Sequence, residues 1–223
     1  MGAVLLKFVI AAAVVASFVG PAVAADLIIP VSPEPIYDEA GFDWSGAYIG
    51  ATLGGQGVRA FAPGQGTIQG TAFVGGIFAG VNAQAGNFVF GAEADIEYSA
   101  FNQRQACGNP LWSCNAYLDV QGSVRGRFGY AVDTLLFYGT AGLAVANAGG
   151  STTSPGGVVF PDSSVHYGYT VDAGVEVAFS ENWIGRAEYR YTNLGARNMS
   201  FDIVYPGVEV STHAVRAGLA YKF

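Results

Sequence analysis

Residues 88–98 read Phe88-Val89-Phe90-Gly91-Ala92-Glu93-Ala94-Asp95-Ile96-Glu97-Tyr98. Every even position is apolar, and Glu93, Asp95 and Glu97 fall on odd ones. A helix would scatter these apolar side chains around its cylinder. A strand, whose successive Cβ atoms point to opposite faces, gathers them on one side. The stretch is read as a β-strand with one apolar and one charged face.

The pattern recurs down the chain. In 118–130, Leu118, Val120, Val124, Phe128 and Tyr130 alternate with Asp119, Gln121, Ser123, Arg125 and Arg127. In 167–179, Tyr167, Tyr169, Val171, Val175, Val177 and Phe179 share one face, and Asp172 and Glu176 the other. In 183–191, Trp183, Tyr189 and Tyr191 oppose Arg186, Glu188 and Arg190. In 213–223, Val215, Leu219, Tyr221 and Phe223 oppose Arg216 and Lys222. Three further strands, 44–54, 73–82 and 135–148, alternate less cleanly, and their faces stay open. A transmembrane helix competes for the last of these, but Gly139, Gly142 and Asn147 make it a poor one.

The connections alternate in length. Short turns are expected near Gly86-Asn87, at Ala131–Thr134 and at Ser180–Asn182. Long loops are expected at 55–72, 99–117, 149–166 and 195–211, which hold Pro63, Pro110, Pro155, Pro161 and Pro206.

Alternation alone does not separate a soluble sandwich from a membrane barrel, so the polar face decides. On the five clear strands it carries Glu93, Asp95, Glu97, Asp119, Asp172, Glu176 and Glu188 against Arg125, Arg127, Arg186, Arg190, Arg216 and Lys222. That near balance suits an enclosed interior where charges pair. The apolar faces carry aromatics near strand ends, as in the girdles of a transmembrane barrel. Composition agrees: of 223 residues 51% are hydrophobic and 12% charged, with 32 Gly, 12 Tyr and 15 Phe. Such a chain is too apolar for a disordered one, and its net charge of −7 argues against a nucleic-acid partner. The expected fold is all-β: an eight-stranded antiparallel up-and-down transmembrane β-barrel over 44–223, its interior filled by side chains.

The turn at Ser180–Asn182 sets a register if it pairs Phe179 with Trp183. Glu176 then faces Arg186, Asp172 faces Arg190, and Glu188 faces Gly174, free to reach Arg216. The acidic ladder Glu93, Asp95 and Glu97 can be read as a cation site, or as neutralised by Arg125 and Arg127.

Upstream of the barrel, Lys7, the apolar run Phe8–Val19 and the small-residue box Ala22-Val23-Ala24 before Ala25 read as a signal peptide over 1–24, cut between Ala24 and Ala25. An uncleaved anchor is the alternative, but the run is short for a spanning helix. Residues 25–43, with Pro30, Pro33, Pro35 and five acids, read as an acidic, mobile periplasmic lead. Export through the general secretory route places Cys107 and Cys114 in an oxidising compartment, where a local disulfide is expected. A metal site is the alternative, without a nearby His to support it.

Several segments together resemble a known family. Trp44-Ser45-Gly46-Ala47-Tyr48-Ile49-Gly50 looks like its opening strand. Val89–Ile96, Arg125-Gly126-Arg127-Phe128-Gly129-Tyr130, Gly174-Val175-Glu176 and Arg186–Tyr191 look like its inner segments, and Val215–Phe223 like its close. They resemble the small outer-membrane β-barrel proteins of alpha-class proteobacteria, RopB-like and related to opacity-type porins. The resemblance implies a Gram-negative outer-membrane location. It also implies that Tyr221 and the terminal Phe223 form the signal read by the barrel-insertion machinery. Members are envelope structural and surface proteins, some implicated in host interaction, small-solute passage or haem binding.

Chemistry has few candidates. His166 and His213 are the only histidines, and with Ser164, Ser211 or Asp162 a hydrolase site or a haem or metal ligand can be drawn. Interfacial polar residues are the plainer reading. The overall expectation is a structural, surface-exposed barrel, not an enzyme, with no cofactor and no catalytic or metal residues. Its expected partners are outer-membrane lipid and lipopolysaccharide, the insertion machinery, and a host or envelope partner met through the loops. It is expected as a monomer or weak oligomer. A narrow small-solute porin is the alternative.

Overall fold

The computed structural model describes residues 41–64 and 66–223. The cleavage point at Ala24/Ala25 and residues 25–40 of the lead lie outside them. Eight strands follow in order: β1 (Gly46–Ala62), β2 (Gly66–Ala85), β3 (Phe88–Ala106), β4 (Ser113–Val132), β5 (Leu135–Thr153), β6 (Val159–Ala178), β7 (Trp183–Ser200) and β8 (Val204–Lys222). Each pairs antiparallel with its neighbours, and β8 closes on β1 to make a barrel. Closure leaves no exposed sheet edge in the belt, as a lipid-embedded sheet requires.

The outer belt is apolar. Phe73, Tyr98, Leu143, Tyr167 and Val215 all point outward and are exposed. At the end where β1 begins and β8 ends, Phe88 packs edge-on against Tyr130, and Tyr221 against Trp183. Trp44, Tyr48, Phe78, Leu136, Tyr138 and Ile184 close the interior at that end, and Phe42 packs against this cluster with Lys222 5.0 Å above its ring.

The blurred strands now have faces: even-numbered residues of β1, β2 and β5 point inward. Their alternation is weak because Tyr48, Phe78, Leu136 and Tyr138 are large and apolar yet inward, while alanines such as Ala79 and Ala141 face out.

The four long loops are the main correction. Strands run 17 to 20 residues, against about 9–11 needed to span a bilayer. The surplus comes from the segments expected as loops, which continue the hairpins to tips at 63–65, 107–112, 154–158 and 201–203. Even Pro161 lies within β6, opposite Ser151, and Pro206 within β8 beside a register shift. In these extensions polarity inverts. Val58, Phe101, Leu118, Leu194 and Val210 face inward, while Arg59, Gln69, Arg104 and Glu209 face out.

A register shift between Leu118 and Gln121 flips the inward face of β4. Leu118, expected on the outer face beside Val120, is therefore buried inside. Asp119, expected on the polar inner face, drops out of it.

Two ladders stop short of the tips. The β2–β3 ladder ends at Val74↔Ser99 and the β6–β7 ladder at Tyr169↔Asn193, although all four strands continue toward the tips. Beyond these pairs side chains bridge the neighbours: Gln105 Nε2 donates to the Thr67 carbonyl at 3.0 Å, and Asp162 accepts from the Ser200 N–H at 2.6 Å.

Candidate functional site

Charged side chains from five strands converge on the barrel axis. β3 supplies Glu93, Asp95 and Glu97; β4 Arg125 and Arg127; β6 Asp172 and Glu176; β7 Arg186, Glu188 and Arg190; β8 Arg216. The β6–β7 ladder has the register the short turn implies, with Glu176 opposite Arg186, Asp172 opposite Arg190 and Glu188 opposite Gly174. Glu188 in turn faces Arg216 on β8 and bonds to it.

Each carboxylate meets at least two guanidiniums. Glu93 contacts Arg186 at 2.6 Å, Arg127 at 3.5 Å, and Arg125, and accepts a hydrogen bond from the Tyr48 hydroxyl at 2.9 Å. Glu176 contacts Arg186 at 2.6 Å and also Arg127. Asp172 lies 3.0 Å from Arg190 and 3.1 Å from Arg125, with Thr140 donating at 2.9 Å. Asp95 joins Arg190 at 3.1 Å and Arg125. Glu97 joins Arg190 at 3.3 Å and Arg216. Glu188 accepts from Tyr138 at 2.7 Å. The acidic ladder is therefore neutralised from three sides, Glu97 by Arg190 and Arg216, and not by Arg125 and Arg127 alone. Two arginines are also held by rings: Arg186 stands 4.1 Å over Phe78 and Arg127 4.1 Å over Tyr138. Asp119 and Lys222, both expected on this face, stay outside the network.

No side chain in the network is more than 6% exposed. Isolated charges at such burial carry a large desolvation cost, and mutual pairing with added hydrogen bonds offsets it. The apolar layer around Tyr48 and Leu136 lies on one side and that around Phe101 and Leu194 on the other. The arrangement is a plug: three layers of side chains fill the interior.

The other candidates are dispersed. His213 faces outward, its Nδ1 2.6 Å from the Tyr189 hydroxyl. His166 is fully buried, and neither its ring nitrogens nor the Ser164 hydroxyl has a hydrogen-bond partner among the described residues. Asp162 is engaged by the backbone N–H groups of Ser163 and Ser200. No nucleophile–base–acid relay is assembled from these groups. Cys107 and Cys114 form a disulfide at the β3–β4 tip. Sequence reasoning missed a cavity of about 80 Å³ beyond the plug, lined by Val58, Ile68, Phe101 and Leu118 among others. The signal was present in the apolar inner face of 58–68 and 101–118, but was read as loop. Neither histidine lines this cavity, and it is too small for a porphyrin.

At the β7–β8 tip, Thr152 and Tyr205 both donate to Asp202, at 3.0 and 2.9 Å. Burial opposes the charge, but these bonds hold Asp202 below the usual carboxylate range. Burial, with the bond to Asp202, pushes Tyr205 up to about 12.

Comparison with known proteins matches this geometry. The family described as "outer membrane protein beta-barrel domain" matches residues 10–223. The chain belongs to that family. It is 35% identical to the 31 kDa outer-membrane immunogenic protein of Brucella melitensis biotype 1, over 98% of this chain and 100% of that one. It is 31% identical to the 25 kDa outer-membrane immunogenic protein of Brucella abortus biovar 1, over 98% and 99%. The 22 kDa outer membrane protein of Rhizobium leguminosarum bv. viciae is 33% identical over 81% of this chain and 78% of that protein. Among solved structures, outer membrane protein OprG from Pseudomonas aeruginosa superposes with a TM-score of 0.53 at 12% identity, covering 82% of this chain and 98% of that one. That likeness concerns the fold. As an outer-membrane barrel with alpha-proteobacterial relatives, the protein resides in the outer membrane.

Proposed function

We propose that this outer-membrane barrel is a structural, surface-displayed protein with a sealed lumen. In this reading its hairpin tips face the exterior and its termini the periplasm. The observation that carries it is the ion-pair network set between two apolar layers. A diffusion porin needs a water-filled path, and here the axis is occupied by paired charge whose rearrangement would leave carboxylates buried and unpaired. What remains for contact with the surroundings is the outer belt, suited to lipid and lipopolysaccharide, and the four tips. Relatives named immunogenic proteins fit a chain displayed at the surface, where a host or envelope partner would meet the tips first. The closed wall, with no free strand edge in the belt, favours a monomer.

Planar-bilayer recording on the refolded protein tests this. Wild type should give no stable open level, or only a small one, while the double variant Arg186→Ala/Arg190→Ala should raise conductance. A large, stable wild-type channel overturns the reading in favour of a porin.

A further inference from the structure

His166 stands in the extension of β6 with nothing to bond. It is fully buried, and both of its ring nitrogens lack a partner among the described residues, as does the hydroxyl of Ser164 two positions along the strand. Ala146, opposite His166 on β5, belongs to the apolar layer that also holds Phe101, Leu118 and Leu194. Buried polar groups are as a rule hydrogen-bonded, so an imidazole left bare in such a layer asks for a reason.

No carboxylate stands ready to balance a charge there. β5 carries no charged residue from Leu135 to Thr153. On β6, Asp162 is engaged by the Ser163 and Ser200 N–H groups, and Asp172 lies in the plug with Arg190 and Arg125. Gln121 on β4 faces Ala146 from the other side, but its amide bonds Gln56 and Glu97, and Glu97 is held by Arg190 and Arg216. On β7 the charge that bears on His166 is the Arg197 guanidinium, which has the same sign as an imidazolium. Burial and Arg197 therefore oppose protonation, and the Leu194 backbone offsets them only in part. The wall is also least tied beside this residue. The β6–β7 ladder stops at Tyr169↔Asn193, and Gly195 just beyond it takes a φ of 65°.

We infer that His166 is an acid-sensitive latch: neutral, it lets β6 and β7 close over the apolar layer, and protonated, it parts them on the tip side of the plug and admits water to that layer. The sign follows from linkage. Exposed to water in the open seam, His166 takes its proton near the ordinary value of about 6.5. In the closed seam it does so only at lower pH. The closed form therefore loses stability as pH falls below about 6.5, by up to about tenfold in the open-to-closed ratio per pH unit, until the closed form is protonated too.

Hydrogen exchange of the full protein refolded in phosphatidylcholine vesicles tests this, run from about pH 8 to about pH 5, above the range where carboxylates titrate. Protection, taken relative to the free chain at the same pH, should fall in segments 163–168 and 194–199 below about pH 6.5. Segment 171–177, inside the β6–β7 ladder, should keep its protection. His166→Gln, neutral throughout, should abolish the fall. His166→Phe should do the same, and keeps the test decisive if the glutamine variant does not fold. His213, the other histidine, remains in both variants. A fall that persists in either folded variant, or a wild-type protection that is flat across the range, overturns the inference.

Discussion

Gly142 on β5 lies directly opposite Arg125 on β4, and a Cβ placed on Gly142 would sit 2.6 Å from the Arg125 Cα. Backbone cannot retreat from such a contact as a flexible side chain can. The same pairing recurs around the plug: Gly76 faces Glu97, Gly54 faces Arg216, and Gly218 faces Arg186. The glycine-rich composition thus has a local cause in the lumen: at Gly76 and Gly54 the Glu97 and Arg216 side chains, with the neighbouring backbone, take the space a Cβ would need, and at Gly142 the backbone of Val124 and Arg125 does. Gly142→Ala should lower barrel stability by about 1–3 kcal/mol through overpacking, read as a lower urea midpoint in vesicles. Gly55→Ala is the control, since nothing lies within 4 Å of a Cβ there. Equal midpoints for both variants would refute the close-packing account.

The hairpin tips give a topological prediction. Epitope tags at Gly64, Gly108 and Gly156 should label on intact cells, and a tag at Asn182 should not. The fourth tag belongs within 201–203, because Gly207 lies inside β8. Labelling at Asn182 alone would invert the orientation.

The Cys107–Cys114 bridge closes the β3–β4 tip over a sequence separation of 7. In the chain-entropy picture a loop this short contributes about 2.5 kcal/mol, and here it acts only on the tip. Cys107→Ser/Cys114→Ser should leave the heat-modifiable gel shift of the barrel intact and speed protease cleavage between residues 107 and 114. An unaltered cleavage rate would show that the strand pairing, not the bridge, holds this tip.

Asp202 ties the β7–β8 tip to β5 through Thr152. A carboxylate whose folded pKa is depressed stabilises the fold above its unfolded value, near 3.9. That contribution is lost as pH falls through the folded value. Protection of the Val204 and Tyr205 amides, taken as their exchange rate relative to the free chain at the same pH, should therefore fall on acidification below about pH 3.9. In Asp202→Asn that protection should be low already at neutral pH. A pH-independent protection in wild type would remove Asp202 from this role.

Phe223 ends the chain on the outer surface at 72% exposure. Its backbone N–H reaches the Ala47 carbonyl at 3.0 Å, and its ring meets Tyr221 edge-on. A side chain so exposed contributes little to the finished fold. Deleting Phe223 should hardly change refolding into vesicles but should lower the heat-modifiable fraction recovered from outer membranes. Equal losses in both settings would make Phe223 a structural residue and not an insertion signal.

The belt and plug were legible because lipid outside and paired charge inside impose a strict period of two. The five clear strands show it, and the Ser180–Asn182 turn carried their register through to Glu188 and Arg216. The extensions were not legible for a physical reason. Beyond the membrane the solvent changes, so Val58 and Phe101 turn inward while Arg59 and Arg104 turn out. A reader tracking lipid-facing apolar residues loses the strand where the pattern merely changes sign. The shift at Leu118/Gln121 hides it further by moving the inward face of β4 from even positions to odd ones, while β3 keeps its odd inward face through the shift at Tyr98/Phe101. Prolines at 161 and 206 added a loop signal that the wall absorbs.

The plug itself is tested most directly at Glu176 and Arg186. They face one another across β6 and β7 and meet at 2.6 Å, while Arg186 also bonds Glu93 at 2.6 Å. Arg186→Ala removes a cation from between two buried carboxylates. Breaking one side of a buried pair typically costs about 3–5 kcal/mol, and less where water refills the gap. Glu176→Ala leaves Arg186 with Glu93, so it should cost less than the arginine change. If the two residues act together, the double variant should be milder than the summed single effects by about 1 kcal/mol or more. Arg186→Lys keeps the charge but loses the planar fork that reaches both acids, and should recover only part of the stability. Urea unfolding in vesicles of the four proteins in the cycle supplies the coupling. A coupling near zero would show that the pair contributes independently, and the plug would then have to be held by its apolar layers alone.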